Sequence, residues 1–185
     1  YFAFLAMALI GVQTFGVTAM IRMFDVSTDT ANLALTGYLL ATAGGVIVGG
    51  LAADRTDRHD LVAITGILTA GLTTLVIAAG LTSASLLIPV LAFAGFAAGS
   101  TTPSRDMLVR KATPKGASGR VFGFVYSGLD LGSALIPLTL GIILDNAAPD
   151  LVFYAIGGLL FCTALTVVQV RRRTPARPAA QGASA

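Results

Sequence analysis

The sequence is poor in the residues that soluble domains expose to water. It has no tryptophan and no glutamate, and only 11% of its 185 residues are charged. An ordinary soluble domain carries roughly a quarter charged residues, and glutamate is a good former of water-facing helices. With 55% hydrophobic residues, the chain has too little polar surface to coat a core in water. These absences argue against a soluble domain and indicate a chain that lies in lipid.

Chemically reactive side chains are equally scarce. Cys162 is the only cysteine and lies in an apolar run, so an intrachain disulfide or a cysteine metal cluster is excluded. A membrane enzyme would need histidines, cysteines or paired acids gathered at one depth, whereas the single histidine, His59, lies in a loop. We therefore predict no catalytic residue, no metal site and no cofactor. The net charge of +3 comes from bases at the edges of apolar runs, so no nucleic-acid partner is predicted.

Six apolar stretches approach the length of ~20 residues that a spanning helix needs. They cover residues 2–24, 31–53, 61–81, 86–103, 120–144 and 151–170. The predicted fold class is therefore an all-α integral membrane protein with six transmembrane helices over residues 1–173. Residues 174–185 are rich in Pro and Ala and are predicted to form a disordered tail. Because residue 1 is Tyr and the first apolar run starts at once, we expect the chain to be part of a longer protein.

The basic residues are distributed unevenly between the links. Eleven of the twelve lie within residues 54–60, within 104–120 or after residue 170, and Arg22 is the exception. Lys and Arg accumulate on the cytoplasmic side of membrane proteins. The pattern therefore predicts a bilayer-embedded chain with both ends in the cytoplasm.

The link after the second stretch carries the densest group of charges, GGLAADRTDRH from Gly49 to His59. Asp54 falls at the predicted helix end, where it can pair with Arg58 or cap the positive N-terminus of a neighbouring helix. Such a charged latch can form and break as helices rock. The alternative is that these charges only anchor the topology.

This loop resembles the signature loop of the major facilitator superfamily of secondary transporters. The matching positions are Gly50, Asp54, Arg55 and Arg58, which the resemblance identifies as a cytoplasmic gating loop. Ala52 and Asp57 depart from the pattern, and such departures are commoner in the C-terminal half of the family. The chain therefore resembles a C-terminal six-helix half, built as an inverted three-plus-three repeat, whose partner is the missing N-terminal half.

Residues 99–144 are similar to the corresponding region of bacterial drug-efflux members, including fosmidomycin-resistance-like proteins. The resemblance implies alternating access for a small solute, proton-coupled efflux and a bacterial inner membrane. An uptake symporter for a small metabolite, or a non-transporting sensor or assembly subunit on the same fold, remains an alternative.

The fifth stretch combines small residues with a proline. The spacing of the family's antiporter motif is kept by Gly123, Gly132, Pro137 and Gly141. Small residues at such steps allow close helix approach, and a proline inside a helix can bend it. Packing without a transport role is the alternative.

Asp130 lies ten residues after Arg120, which is ~15 Å into a ~30 Å hydrocarbon core. A carboxylate at that depth is expensive unless it is protonated, paired or facing a wet cavity. Asp130 is therefore a candidate for proton coupling or substrate contact. The alternatives are that it makes a structural hydrogen bond or belongs to an ion pair at a gate. In the family, the first, second, fourth and fifth helices of a half line the cavity. That resemblance makes cavity candidates of Gln13, Tyr38 and Ser127, although a buried Gln or Tyr often only bonds a neighbouring helix.

Overall fold

A computed structural model describes residues 1–56, 58–114, 116–146 and 148–173. No strand occurs among them. The helices are α1 (Phe2–Phe24), α2 (Thr28–Asp54), α3 (His59–Ala78), α4 (Leu87–Ser100), α5 (Thr102–Ala112), α6 (Ser118–Asp145) and α7 (Pro149–Arg173), with a 3-10 turn at Ala84–Leu86. Taking 84–111 as one run, six helical segments are long and apolar enough to cross a membrane. The predicted all-α fold with six membrane-spanning helices is confirmed. Asp57 and the predicted tail, 174–185, lie outside the described residues.

The fourth crossing differs from its predicted range of 86–103. Helix α4 ends at Ser100, and Pro103 belongs to the first turn of α5. Proline has no N–H and its ring clashes with the carbonyl four residues earlier, so the α4 pattern cannot run through it. The Thr101 N–H therefore donates to the Ala98 carbonyl at 3.2 Å, as does its hydroxyl at 2.7 Å. Thr101 keeps helical dihedrals, φ −81° and ψ −21°, so α5 follows directly.

The helix pairs that pack together display an internal repeat. Helix α1 packs on α6 and α7, α4 packs on α2 and α3, and α3 packs on α7. Exchanging the first three helices (α1, α2, α3) with the last three (α4, α6, α7) turns α1–α6 into α4–α2 and α1–α7 into α4–α3, and leaves the central pair α3–α7 unchanged. In addition, the pairs α1–α6 and α2–α4 each run in the same direction. This pairing is what two inverted three-helix units produce.

The α2–α4 crossing is made by four glycines that contact the backbone of the opposite helix. A Cβ on Gly45 or Gly49 would overlap the carbonyl oxygen of Phe96 or Ser100, and one on Gly95 or Gly99 that of Tyr38 or Thr42. Small residues at four-residue spacing permit this close approach. Neighbouring Gly44 has open space around it, so the glycine-rich sequence contains both contact and non-contact positions.

Two ends of the bundle are named for their residues. The motif end holds residues 54–59, α5 and the start of α6, and the Arg22 end holds the α1–α2 and α6–α7 connections. At the Arg22 end, Arg22 Nη1 donates to the Leu144 carbonyl oxygen at 2.8 Å. This bond joins the last turn of α1 to the last turn of α6, where a cation also complements the helix dipole. Arg22, the base outside the predicted cytoplasmic links, thus has a structural role as a cap on α6.

We expect Arg22→Met to lower the stability of the bundle by about 1 kcal/mol, because one half-buried hydrogen bond to a backbone carbonyl is lost while the aliphatic stem is kept. For a chain of this size that free-energy loss corresponds to a fall of roughly 2–4 °C in Tm. Tm is measured by heating the protein in detergent and following the fraction that stays monodisperse. Arg110→Met on α5, which is also exposed, is the matched control and should leave Tm unchanged. Equal falls in both variants would contradict the capping role.

Candidate transport face and motif loop

The sides of α1 and α6 that no other described helix covers carry polar side chains. Gln13 and Thr14 on α1 are exposed, as are Ser127 and Asp130 on α6. The opposite face of α6 is buried against the bundle through Gly132, Ile136, Leu140 and Leu144. These four residues recur at four-residue steps, so α6 buries one stripe and leaves the side with Asp130 open. We call this side of α1 and α6 the open face.

Gln13 and Asp130 share the open face but lie at different levels of the bundle. Helices α1 and α6 run in parallel, and a Cβ on Gly132 would contact the backbone of Ala3. Gln13 is ten residues beyond Ala3 and Asp130 is two residues before Gly132. At ~1.5 Å per residue the two levels are about 18 Å apart. Each residue is near the middle of its own helix, but the helices are staggered, so one small solute could not contact both side chains at once.

Tyr38 lies away from the open face. Its side chain is only 3% exposed and lines a small closed cavity between α1, α3, α4 and α7, together with Thr74 and Val12. The cause is helix register, because the Tyr38 side of α2 faces the contact with Gly95. The structure therefore places Tyr38 in the core of the six-helix unit rather than on the surface that carries Asp130.

The four motif positions of α6 occupy different environments. Gly132 makes the tight contact with α1, whereas a Cβ on Gly123 would meet nothing within 4 Å and one on Gly141 only Phe15, at 3.9 Å. Pro137 lies inside α6, which is continuous from Ser118 to Asp145. Close packing is therefore visible at Gly132 and absent at Gly123.

Aromatic rings lie one turn from Asp130 toward the motif end. Tyr126 is four residues before Asp130 and stacks on Phe122 with ring centroids 5.8 Å apart. Tyr126 also meets the edge of Phe2 at 5.9 Å, and the Arg105 guanidinium lies 5.0 Å from the Phe2 centroid. Arg105 Nε is 3.0 Å from the Asp106 carboxylate. Asp130 is thus flanked on α6 by aromatic surface, while Arg105 is held by its neighbour Asp106.

The motif loop, described at residues 54–56 and 58–59, joins α2 to α3. Asp54 is the last residue of α2, and Arg55 and Arg58 are exposed. The Arg58 N–H donates to Thr56 Oγ1 at 3.1 Å. A Cβ on Gly50 would lie 4.0 Å from Pro103 of α5, so α5 runs close to the loop. One salt bridge among the residues that the structure describes joins Arg105 to Asp106. The predicted pairing of Asp54 with Arg58 stays a prediction.

Two exposed apolar stripes are the features that sequence reasoning missed. They follow the same spacing of seven, seven and four residues and are 57% to 82% exposed. The stripes are Leu33, Leu40, Ile47 and Leu51 on α2, and Phe124, Leu131, Leu138 and Ile142 on α6. Steps of seven and four keep a helical face, so this spacing was a readable signal. Because α2 and α6 correspond in the internal repeat and both pack on α1, the stripes lie on either side of α1.

The six spanning helices, the inverted packing and the charged loop together define a helical membrane protein with the architecture of one half of a secondary transporter. The family model of the Major Facilitator Superfamily matches residues 2–185. The chain belongs to the major facilitator superfamily, whose members are membrane transporters of small molecules and not enzymes. No curated protein matches the chain.

Proposed function

We propose that this chain is one half of a proton-coupled exporter that moves a small, largely apolar solute out of the cytoplasm by alternating access. The observation that carries the proposal is the open face, with Asp130 of α6 and aromatic rings beside it. Within the described spanning segments this face presents bases at its two ends, Arg22 in the last turn of α1 and the exposed Arg120 in the first turn of α6, and none between them. A site of that kind favours neutral or cationic solutes over anions.

The two apolar stripes support the idea that a second six-helix half completes the transporter. Stripes of seven-residue spacing are suited to pairing with a helix from another unit. With one partner helix on α2 and another on α6, the open face would be enclosed between two halves. Gln13, Ser127 and Asp130 would then line a central cavity, at two separate levels. Tyr38, which faces the core, is left out of this cavity.

Asp130 is the residue we propose for coupling to protons. The proposed enclosure would place its carboxyl in a partly dry cavity, where binding and release of a proton change the charge that the solute meets. The motif loop would serve as the cytoplasmic gate, with Asp54, Arg55 and Arg58 changing partners as the halves rock. We assign the motif end to the cytoplasm on the positive-inside rule, and the membrane to the bacterial inner membrane.

The test is a proton-release assay on everted membrane vesicles that contain the complete two-half transporter. After the vesicles are acidified inside, a solute that enters in exchange for protons reverses the quenching of a pH-gradient dye. We expect reversal by members of a panel of lipophilic toxic compounds, and none with residues 1–185 alone. Transport by the chain alone would overturn the two-half proposal. If only sugars or organic acids moved, and moved with protons, uptake symport would replace efflux.

A further inference from the structure

His59 and Ser104 are two deeply buried polar side chains near the motif loop. His59 opens α3 and is 3% exposed, and Ser104 lies in the first turn of α5 and is 0% exposed. Neither His59 Nδ1 nor Ser104 Oγ has a hydrogen-bond partner among the described residues. Buried polar atoms of native proteins nearly always have a hydrogen-bond partner in the protein or in ordered water. We therefore expect each of these two atoms to have a partner.

The helix register places these two side chains near each other. A Cβ on Gly66 of α3 would overlap the Thr101 Cγ2 methyl and lie 2.9 Å from the Ala97 carbonyl oxygen of α4, so Gly66 is level with the turn between these two residues, and α3 and α4 run antiparallel. His59 is seven residues before Gly66, and Ser104 is three residues after Thr101 and seven after Ala97, spacings that keep each side chain on its contacting face. At ~1.5 Å per residue, His59 lies ~10.5 Å and Ser104 about 5–10 Å from the level of Gly66. Both displacements are toward the motif end, so His59 and Ser104 lie within about one helical turn of each other on contacting faces.

The burial pattern agrees with this placement on both helices. On α3, the residues at helical spacing from His59 are buried, namely Ala63, Ile67 and Ala70. On the facing helices α4 and α5, Ala97, Thr101 and Ser104 are all buried. They form one continuous face because Thr101, between the two helices, has helical dihedrals. Helix α5 also packs directly on α3.

We propose that His59 and Ser104 bind one water molecule that bridges Nδ1 and Oγ and tethers α5 to the motif loop. The imidazole nitrogen is a single donor or acceptor and the serine hydroxyl is both, so a water satisfies either tautomer. A buried water needs at least two polar partners, which this pair supplies. A metal ion is a poorer match, since no cluster of three His, Cys or Asp residues is found among the described residues.

The tether has a mechanical consequence for the loop. His59 directly follows Arg58, so fixing its ring to α5 fixes the end of the motif loop. His59 and Ser104 are thus positioning residues for the loop. This inference is independent of the proposed export function, because it depends only on the packing of α3 against α5.

The experiment uses nitrogen NMR of the complete chain, labelled at histidine and held in lipid nanodiscs. His59 is the only histidine, so the ring signals need no assignment to a residue, and Nδ1 is distinguished from Nε2 by its couplings to the ring protons. In the natural chain we expect a cross-peak between water and the His59 ring. Ser104→Ala should abolish that cross-peak and shift the Nδ1 resonance, whereas Ser104→Thr, which keeps the hydroxyl, should preserve both. The matched control is Ser133→Ala on α6, a serine already bonded to the Leu129 carbonyl, which should change neither.

Two results would overturn the bridging water. One is an Nδ1 resonance that Ser104→Ala leaves unchanged, since the two side chains would then not share a ligand. The other is a shift on Ser104→Ala without any water cross-peak in the natural chain, which would indicate a direct hydrogen bond instead. Backbone spectra of each variant check that the bundle is folded, and Ser104→Thr provides the comparison if Ser104→Ala is not.

Discussion

Gly45→Ala is expected to destabilise the six-helix bundle by about 2–3 kcal/mol, although it adds a single methyl group. The new Cβ would overlap the carbonyl oxygen of Phe96 and lie 3.0 Å from the Ser100 nitrogen. Both are backbone atoms, which cannot move aside as a flexible side chain can. Overpacking of this kind typically costs about 1–3 kcal/mol, occasionally more, and here it outweighs the gain of up to ~1 kcal/mol that Ala brings to a helix.

The neighbouring glycine supplies the control. A Cβ on Gly44 would meet nothing within 4 Å, so Gly44→Ala should keep or slightly raise stability through helix propensity alone. In Tm the two adjacent substitutions should differ by roughly 5–10 °C, given about 2–4 °C per kcal/mol for this chain length. Heating in detergent followed by size exclusion measures the difference. Equal Tm values would contradict the close α2–α4 crossing, and with it the packing that the internal repeat depends on.

Membrane proteins allow much of the fold to be predicted from the sequence, because the bilayer permits few alternatives. The number of crossings and most helix limits follow from the length of apolar runs. Within the predicted stretch 86–103, hydropathy does not register the missing N–H of Pro103, whereas in the structure α4 ends at Ser100 and α5 begins at Thr102. The glycine spacing suggested packing, but nothing in the sequence distinguishes Gly45 from Gly44. That difference depends on the rotation of α2 about its axis, which is fixed by the helices around it.

The candidate site was harder to predict than the fold. Asp130 stands out in the sequence because an acid inside an apolar run is rare, and the structure places it on the open face. Gln13 and Asp130 were both candidates for the transport site in the sequence, but the difference in their levels depends on the stagger of α1 against α6, which the contact of Ala3 with Gly132 sets. From the sequence alone, Tyr38 is as good a cavity candidate as Gln13. The rotation of α2 about its axis, which the sequence does not reveal, directs the Tyr38 side chain into the core.

Asp130→Asn should abolish accumulation driven by a pH gradient while leaving passive exchange of solute in place. One proton moving down one pH unit supplies about 1.4 kcal/mol, enough for a roughly tenfold solute gradient. Asparagine keeps the size and hydrogen-bonding capacity of the carboxyl but cannot carry a proton. In proteoliposomes holding both halves of the transporter, the solute ratio under a pH gradient should therefore fall to about one, as it does when a protonophore is added.

The control for this variant is Asp145→Asn, an exposed acid in the last turn of the same helix, which should retain the tenfold ratio. Exchange of labelled for unlabelled solute without a gradient separates coupling from binding, because it needs alternating access and no net proton movement. If exchange is also lost, Asp130 contacts the solute directly and its charge is part of recognition. If the gradient-driven ratio survives in Asp130→Asn, the proton is carried by another group, and Asp130 is restricted to a structural hydrogen bond or a gate ion pair.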